Sequence, residues 1–361
     1  MARNRVGVDI GSTAARAAEV AYSSGQAAVV RAAQVPLPAG AVENGEVRQP
    51  EVVGEALREL WGRGSFKSKQ VMMGVGNQRV VVREVALPWL PEKELRESLA
   101  YQVQEFIPIA TDEAVLDYDP LGEFEQEGRR MIRLLLVAAQ KVMVQAAVEA
   151  AQHAHLEPVG MDLVPFALVR AVGSGEPEDL SVEGAEPPVG DEAVIDIGAH
   201  VTNICVHDRG VTRFVRILPS GGWDVTVAVA RALGVSEEEA EALKRGTPIE
   251  PAEGAEPPSL EEANNAALTR AAAFVDEIRS SLEFYAAQVP GSRIGRVLVT
   301  GGGSKLRGFL ELLRERIPVQ IDRGHAFQHA TPQLELSPEA MEEAEPILPV
   351  AVGLAIPGRS A

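Results

Sequence analysis

Apolar residues come along this chain in two rhythms. Short runs bounded by Gly, Pro, Asn or Asp read as strands, and apolar residues spaced three and four apart among charges read as helices packed by one stripe. Val6–Ile10 is a run of the first kind, and Ala17–Val20 returns after a Gly-Ser-Thr turn. Val52, Ala56 and Leu60 mark a helix over Glu51–Arg63, and Gln70–Val75 with Arg79–Leu87 read as a strand pair turned at Gly76-Asn77. Leu95, Leu99, Val103 and Phe106 share one face of an amphipathic helix over Glu92–Phe106, with acids in its first turn. Strands at Val115–Leu121 and Arg130–Ala138 then flank a polar turn, and a helix is expected over Gln140–His155.

The second half opens with the same theme, an apolar run Ala193–Ile197 and an apolar return Ile204–Val206. Helices follow at Trp223–Leu233 and Glu237–Arg245, the latter opened by a Ser236–Glu239 capping box. The longest helix, Glu261–Gln288, carries Leu268, Val275, Ile278, Leu282 and Tyr285 on its apolar side and stops at Pro290-Gly291. Val297–Thr300 is a strand running into a glycine turn, with a helix Leu306–Ile317 capped by Ser304 or Gly303. Gly173–Glu192, Thr247–Leu260 and Ser337–Pro346 read as solvated acidic loops, and Leu348–Ile356 as an apolar terminal return.

The repeat changes the picture. Asp9-Ile-Gly11-Ser12-Thr13 ends one strand, and Asp196-Ile-Gly198-Ala199-His200 ends another at the same place in its own strand-turn-strand. A single such turn is more often an ordinary hairpin tip, since Asp and Gly are default turn residues. Two copies mean two similar lobes, each offering a turn whose successive N–H groups can cradle phosphate. Asp9 beside such a nest can hold Mg2+ through waters. With the third element, Gly301-Gly302-Gly303-Ser304-Lys305, the set describes an ATP cleft between lobes.

Composition narrows the partners. A net charge of −18, from 34 basic and 52 acidic residues, argues against nucleic acid and against docking on anionic lipid. Cys205 is the one cysteine, set in an apolar strand, so it reads as core and a reducing compartment fits. No run approaches the roughly 20 apolar residues that span a bilayer, so no direct membrane insertion is expected. The charged start, Arg3 and Arg5, passes straight into a strand and does not read as a signal peptide.

These residues resemble the actin-like ATPase superfamily and, within it, the PilM family of type IV pilus assembly proteins, over nearly the whole length. The resemblance is carried by Val6–Val20, Glu105–Tyr118 with its Phe106-Ile107-Pro108 block, Ile195–Val206, Arg279–Tyr285, Thr300–Gly308 and Ala351–Ala355. It implies an α/β fold, the duplicated ribonuclease H-like two-lobed ATPase fold with an inserted α+β subdomain. The division it suggests is a first lobe over 1–80 and 158–190, interrupted by the inserted subdomain at 81–157. A second lobe over 191–336, with a helical subdomain at 235–290, precedes a return to the first lobe over 337–361.

Carried over by position, the resemblance gives Gly11, Ser12, Thr13 and Arg16 to the phosphates, with Gly198, Ala199, His200 and Thr202 on the opposing loop. Arg16 stands where relatives often have Lys, and its guanidinium has a different reach. Asp9 and Asp196 would orient Mg2+. Glu241 and Lys244 would lie on the adenosine side, and Gly301, Gly302, Gly303, Ser304 and Lys305 around adenine and ribose. Plainer readings stand beside these: Thr202 and Asn203 as strand residues, His200 as a loop-tip polar group, Glu241 and Lys244 as a solvated face. A water-orienting residue would fall near Gly160–Phe166; the matching position is Val164, which leaves Asp162 as the nearby carboxylate, so ATP binding with little turnover is expected.

The resemblance further implies a cytoplasmic scaffold held at the inner membrane by the cytosolic N-terminal tail of a PilN-like protein. Val80–Leu87 and Leu95–Ile107 are the segments placed near the peptide groove. Contact with the pilus motor ATPases and self-association into dimers or oligomers stay open. Three other readings share the nucleotide motifs: an FtsA-like filament of cell division, an actin-fold small-molecule kinase, and the cytosolic part of a type II secretion protein. The first would want a terminal amphipathic membrane helix, the second a catalytic Asp in a first-lobe sugar pocket, the third a transmembrane helix after the second lobe.

Overall fold

The computed structural model describes residues 3–23, 26–174, 190–250, 258–289 and 291–358. Most of the expected Gly173–Glu192 linker, the centre of the Thr247–Leu260 loop and Pro290 lie outside them.

The first apolar run forms β1 (Arg3–Ile10) and its return forms β2 (Ala14–Ser23), antiparallel in register from Arg3↔Tyr22 to Ile10↔Ala15. β3 (Gln26–Pro36) adds to β2, and a short hairpin, β4 (Val42–Glu43) and β5 (Glu46–Val47), leads to α1 (Pro50–Gly64). β6 (Gln70–Val75) then returns parallel to β1.

β7 (Val80–Pro88) does not pair with β6, contrary to the hairpin expected at Gly76-Asn77. Asn77 is buried, its amide donates to the Gly45 carbonyl at 3.2 Å, and its oxygen accepts the Arg79 N–H at 2.9 Å. Those bonds fix a crossover instead of a reversal. β6, buried at Val71 and Met73, takes parallel partners on both sides, as strands covered on both faces do.

β7 joins β8 (Ala114–Gln126) and β9 (Arg129–Gln140) in a separate antiparallel sheet of order β7-β9-β8. Helix α2 (Glu92–Gln102) lies on it, with Leu95, Leu99, Val103 and Ile107 packed against Val85, Leu87, Leu134 and Leu136. Of the two segments expected near the groove, the apolar positions Val85, Leu87, Leu95, Leu99, Val103 and Ile107 are this sheet's core, while Arg83, Glu84 and Tyr101 are exposed. α2 stops at Gln102, short of the expected Phe106, its last turn closed by the Val103 N–H on the Leu99 carbonyl.

α3 (Lys141–His153) falls within the 81–157 block of the sequence division, yet its Ala147, Ala150 and Ala151 pack in the first lobe's core with Val6, Leu57 and Leu60. β10 (Glu157–Leu163) then completes the far side of β6 and runs into α4 (Val164–Val172).

The second lobe opens with β11 (Asp191–Ile197), β12 (Thr202–Asp208) and β13 (Val211–Leu218), followed by α5 (Gly222–Leu233), α6 (Glu237–Lys244) and α7 (Leu260–Gln288). β14 (Ile294–Thr300), α8 (Phe309–Arg316) and β15 (Gln320–Arg323) close a five-stranded sheet of order β13-β12-β11-β14-β15. Phe274, Ile278, Leu282 and Tyr285 of α7 cover one face with Phe309 and Leu313 of α8. Cys205 is fully buried in β12 and its thiol is pushed up to about 12 by burial.

The chain then returns. β16 (Thr331–Pro332) pairs with β3, giving a six-stranded first sheet of order β10-β6-β1-β2-β3-β16, and α9 (Pro338–Ala344) and α10 (Pro349–Ala355) follow. α4 and α10 sit between the two sheets, where Val164, Leu168, Val350 and Leu354 meet Val194 and Leu298. They touch backbone to backbone: a Cβ on Gly353 would lie 1.8 Å from the Ala167 carbonyl oxygen, so glycine is required there.

Two expectations change here. Ser337–Pro346 contains α9 and is not simply a loop: the Ser337 hydroxyl accepts the Ala340 N–H at 3.2 Å and Pro338 opens the helix, a signal visible in the sequence. The helix expected from Leu306 begins at Phe309, because Gly302–Lys305 forms a 3-10 turn and Gly308, at φ 82°, breaks the run. Among the described residues no helix is long and apolar enough to cross a membrane.

Candidate functional site

A cavity of about 1120 Å3 opens between the lobes. The two Asp-containing turns bring residues to it from opposite sides, and they share local geometry. Gly11 N–H donates to the Ala14 carbonyl at 3.1 Å, and Gly198 N–H donates to the Val201 carbonyl at 2.9 Å, the same step in each copy. Asp9, Gly11, Ser12 and Thr13 line the cavity from the first lobe, Asp196, Gly198 and Ala199 from the second.

Register places a partner opposite each aspartate: Asp9 pairs with Arg16, and Asp196 with Asn203. Arg16 Nη1 lies 3.2 Å from Asp9, and its Nε donates to Gln34 Oε1 at 2.7 Å. Burial holds the Asp9 carboxyl above its ordinary value although Arg16 pulls the other way. Asp196 is pushed up to about 7, by burial first and by the charge of Asp9 second. At the two turns, therefore, two desolvated carboxylates stand with one guanidinium, a local imbalance that suits a hydrated divalent cation held by one or two carboxylates. The residues present fit Mg2+.

α5 braces the second turn. Gly222 N–H donates to the Gly198 carbonyl at 2.9 Å and Trp223 N–H to Ala199 at 2.8 Å, while Asp224 accepts from Gly221 N–H. The positive end of α5 therefore faces the cavity, where anionic groups are favoured. Lys244 bridges α6 to this end: its Nζ donates to the Gly222 carbonyl at 2.9 Å and to Thr226 at 2.6 Å, and lies 2.5 Å from Glu241. Burial raises Glu241, but the charge and hydrogen bond of Lys244 outweigh it and hold the carboxyl below its usual range. This pair is a half-buried brace and not a solvated face.

The glycine turn lines the cavity through Gly301, Gly302, Gly303 and Lys305. Gly301, at φ 88°, donates to the Pro346 carbonyl at 2.7 Å, and a Cβ there would lie 2.4 Å from the Ile197 carbonyl oxygen. Gly301→Ala is accordingly expected to destabilise the fold by about 2 kcal/mol or more, from the left-handed backbone and the clash together. Thermal melting checks this; an unchanged midpoint would contradict the packing described. Lys305 pairs with Glu343 of α9, so the terminal return supplies one wall.

Four of the expected site residues do not line the cavity. His200 is half-buried, edge-on to Trp223 with ring centroids 5.7 Å apart. Thr202 is fully buried and donates to the Ser220 carbonyl at 2.8 Å. Ser304 is buried and donates to the Gly301 carbonyl at 2.7 Å. Asp162 is ion-paired with Arg170 and accepts the Leu163 N–H, while apolar Val164 faces the cavity instead. Sequence reasoning missed Gln34, Gly221, Gly222 and Glu343 and left Asn203 as a strand residue; all five line the cavity. The Gly221-Gly222 pair before a helix was a readable signal; Gln34 and Glu343 carry none, since both arrive by tertiary packing.

Comparison with known proteins places this geometry. The family model described as "Type IV pilus assembly protein PilM" matches residues 7–359. A solved PilM-PilN type IV pilus biogenesis complex superposes at a TM-score of 0.81 with 28% identity, covering 97% of each chain. Ethanolamine utilization protein EutJ of Carboxydothermus hydrogenoformans (TM-score 0.55, 17% identity, 99% of this chain and 90% of that one) shares the fold. So does ADP-bound MreB5 of Spiroplasma citri (TM-score 0.51, 13% identity, 97% and 94%). Cell division protein FtsA of Bacillus subtilis (strain 168) matches at 29% identity over 110 residues, 30% of this chain and 23% of that protein.

Proposed function

The chain belongs to the PilM family of type IV pilus assembly proteins, and on that premise we propose that it is a nucleotide-clamped scaffold of pilus assembly. It binds Mg-ATP between the lobes and takes the cytosolic N-terminal peptide of a PilN-like inner-membrane protein. The observation that carries the nucleotide half is the pair of Asp–Gly turns on opposite sides of the cleft, which bring two carboxylates and one guanidinium to it. The partner half rests on likeness to the PilM of the PilM-PilN complex along almost the whole of both chains. Held by that peptide, the protein sits in the cytoplasm against the inner membrane.

Asp9 and Asp196 would hold the cation through its waters, and Arg16, tied to Asp9 and Gln34, is the cation that lines the cavity beside them. The amides of Ser12, Thr13 and Ala199 would serve the phosphate oxygens, since those of Gly11 and Gly198 are taken by the Ala14 and Val201 carbonyls. Glu241–Lys244 and Gly301–Lys305 enclose the nucleoside. Mg2+ supplies charge neutralisation of the phosphate chain.

Turnover is slow for a stated reason. Phosphoryl transfer is fastest where a base is free to orient and activate the attacking water. The cavity's carboxylates among the described residues are Asp9, Asp196, Glu241 and Glu343, of which the last two are paired with lysines. The position facing the phosphates from α4 is Val164.

The test is calorimetric titration with Mg-ATP and with a synthetic PilN-like tail, beside phosphate release from the unaltered protein and Asp196→Ala. Binding of both ligands, with release no faster than the variant, is expected. Brisk release lost in Asp196→Ala would refute the scaffold reading, and absence of nucleotide binding would refute the cleft assignment.

A further inference from the structure

Among the described residues, a buried polar atom of the cleft has no hydrogen-bond partner. Asn203 is 5% exposed, and its side-chain Oδ1 makes no hydrogen bond. Its Nδ2 faces Asp196 Oδ2 at 3.5 Å, as the charge of a carboxylate dictates, which turns Oδ1 the other way. Oδ1 lies against Gly76 of the first lobe, where a Cβ would come within 3.1 Å of it, and both residues line the cavity. A buried carbonyl without a donor is costly and rare in a folded protein, so a ligand or water is the ordinary explanation.

The internal repeat says which kind of ligand. Asn203 occupies in the second copy the register position that Arg16 occupies in the first. There a cation answers the aspartate; here a neutral amide does, and Arg16 acts on Asp196 through its charge without forming an ion pair with it among the described residues. Asp9, Asp196 and the Asn203 carbonyl are all acceptors, and Arg16 is already engaged with Asp9 and Gln34. Acceptors gathered along one cleft recruit donors, and the waters of a hydrated divalent cation are donors. An anion would be repelled there.

We infer that Asn203 is a binding residue of the cleft, its Oδ1 accepting a hydrogen bond from the water shell of a divalent cation held by Asp9 and Asp196. This rests on the nucleotide reading above only for the identity of the full ligand. The cation corner itself is testable without nucleotide. The residue matters for metal selectivity, because a carbonyl aimed at a bound water favours an ion that keeps its waters, as Mg2+ does.

The experiment measures Mn2+ binding to the full chain by water-proton relaxation, and ATP affinity with Mg2+ or with EDTA. The variants are Asn203→Val, which removes the acceptor in a strand-compatible shape, and Asn203→Ser, which keeps one. Asn203→Val is expected to weaken Mn2+ binding and the Mg2+-dependent gain in ATP affinity by about tenfold, the scale of one hydrogen bond within a charged cluster. ATP affinity in EDTA should stay within about twofold. The melting temperature of the ligand-free variant should rise, since the orphaned acceptor is gone, and Asn203→Ser should retain most of the metal affinity. Unchanged Mn2+ affinity in Asn203→Val overturns the inference, as does an equal loss of ATP affinity with and without metal, which would mark a structural residue. Failure of the unaltered protein to bind ATP while Mn2+ binding still depends on Asn203 would refute the nucleotide reading and leave this one standing.

Discussion

Asp196→Asn is expected to make the nucleotide-free protein more stable at pH 8 and to erase the further stabilisation that Mg-ATP gives the unaltered chain. The reasoning starts from a carboxyl pushed up to about 7 by burial and by Asp9, against an ordinary value of 3.8. Between those values the folded chain holds a proton that the unfolded chain has released. Stability therefore falls as pH rises from about 4 to 7 and stays at its lower level above, by at most about 1.4 kcal/mol per pH unit. Asparagine takes up no proton and carries no charge, so the loss disappears and the repulsion on Asp9 goes with it.

At pH 5 the native carboxyl is already protonated, and the two proteins should melt within a few degrees of each other. At pH 8 the variant should melt higher. With saturating Mg-ATP the order should reverse, because a ligand bound only to the folded state stabilises by mass action and the variant has lost one of two carboxylates that hold the cation. Melting curves at pH 5 and pH 8, with and without Mg-ATP, give all four comparisons. A variant less stable than the parent at pH 8 without ligand would mean that Asp196 is not under the strain described. A site built for function at the expense of stability is a familiar trade.

The second large effect is predicted at Leu99. It is 5% exposed and packs among Val85, Leu87, Leu134 and Leu136 at the centre of the three-stranded sheet's core. Leu99→Asp places an unpaired charge there and should cost about 3–5 kcal/mol, enough to unfold that subdomain. Tyr101, two residues on, is 80% exposed on the other side of α2, and Tyr101→Asp should leave folding unchanged. Hydrogen exchange reports on the two outcomes separately: protection lost over β7–β9 in the first variant, retained in the second. A folded Leu99→Asp protein that had lost only peptide binding would restore the groove placement expected from sequence.

The chain's own order of residues determined a good deal. The paired Asp9 and Asp196 turns, the α/β alternation and the long amphipathic α7 were legible because strands, turns and helices are set locally. Glycine permits the turn, period-two or period-three-and-four burial names the element, and a short polar cap starts it. The family resemblance was legible for the same reason, since its motifs are these turns and the Phe106-Ile107-Pro108 block.

What only the tertiary structure decided was who meets whom. β6 and β7 are adjacent in sequence with a turn between them, but the bonds of buried Asn77 send them to different sheets. α3 follows β9 directly, yet its alanine face finds α1 and the first core. Val164 faces the cleft while Asp162 is held aside by Arg170, and the Asn203 oxygen lies against Gly76 of the first lobe. Local sequence fixes backbone angles and says which face of an element is apolar; it does not say which of several apolar faces will cover it. That choice belongs to the packing of the whole chain, and the cleft, made where two lobes and the terminal return close on one another, exists only at that level.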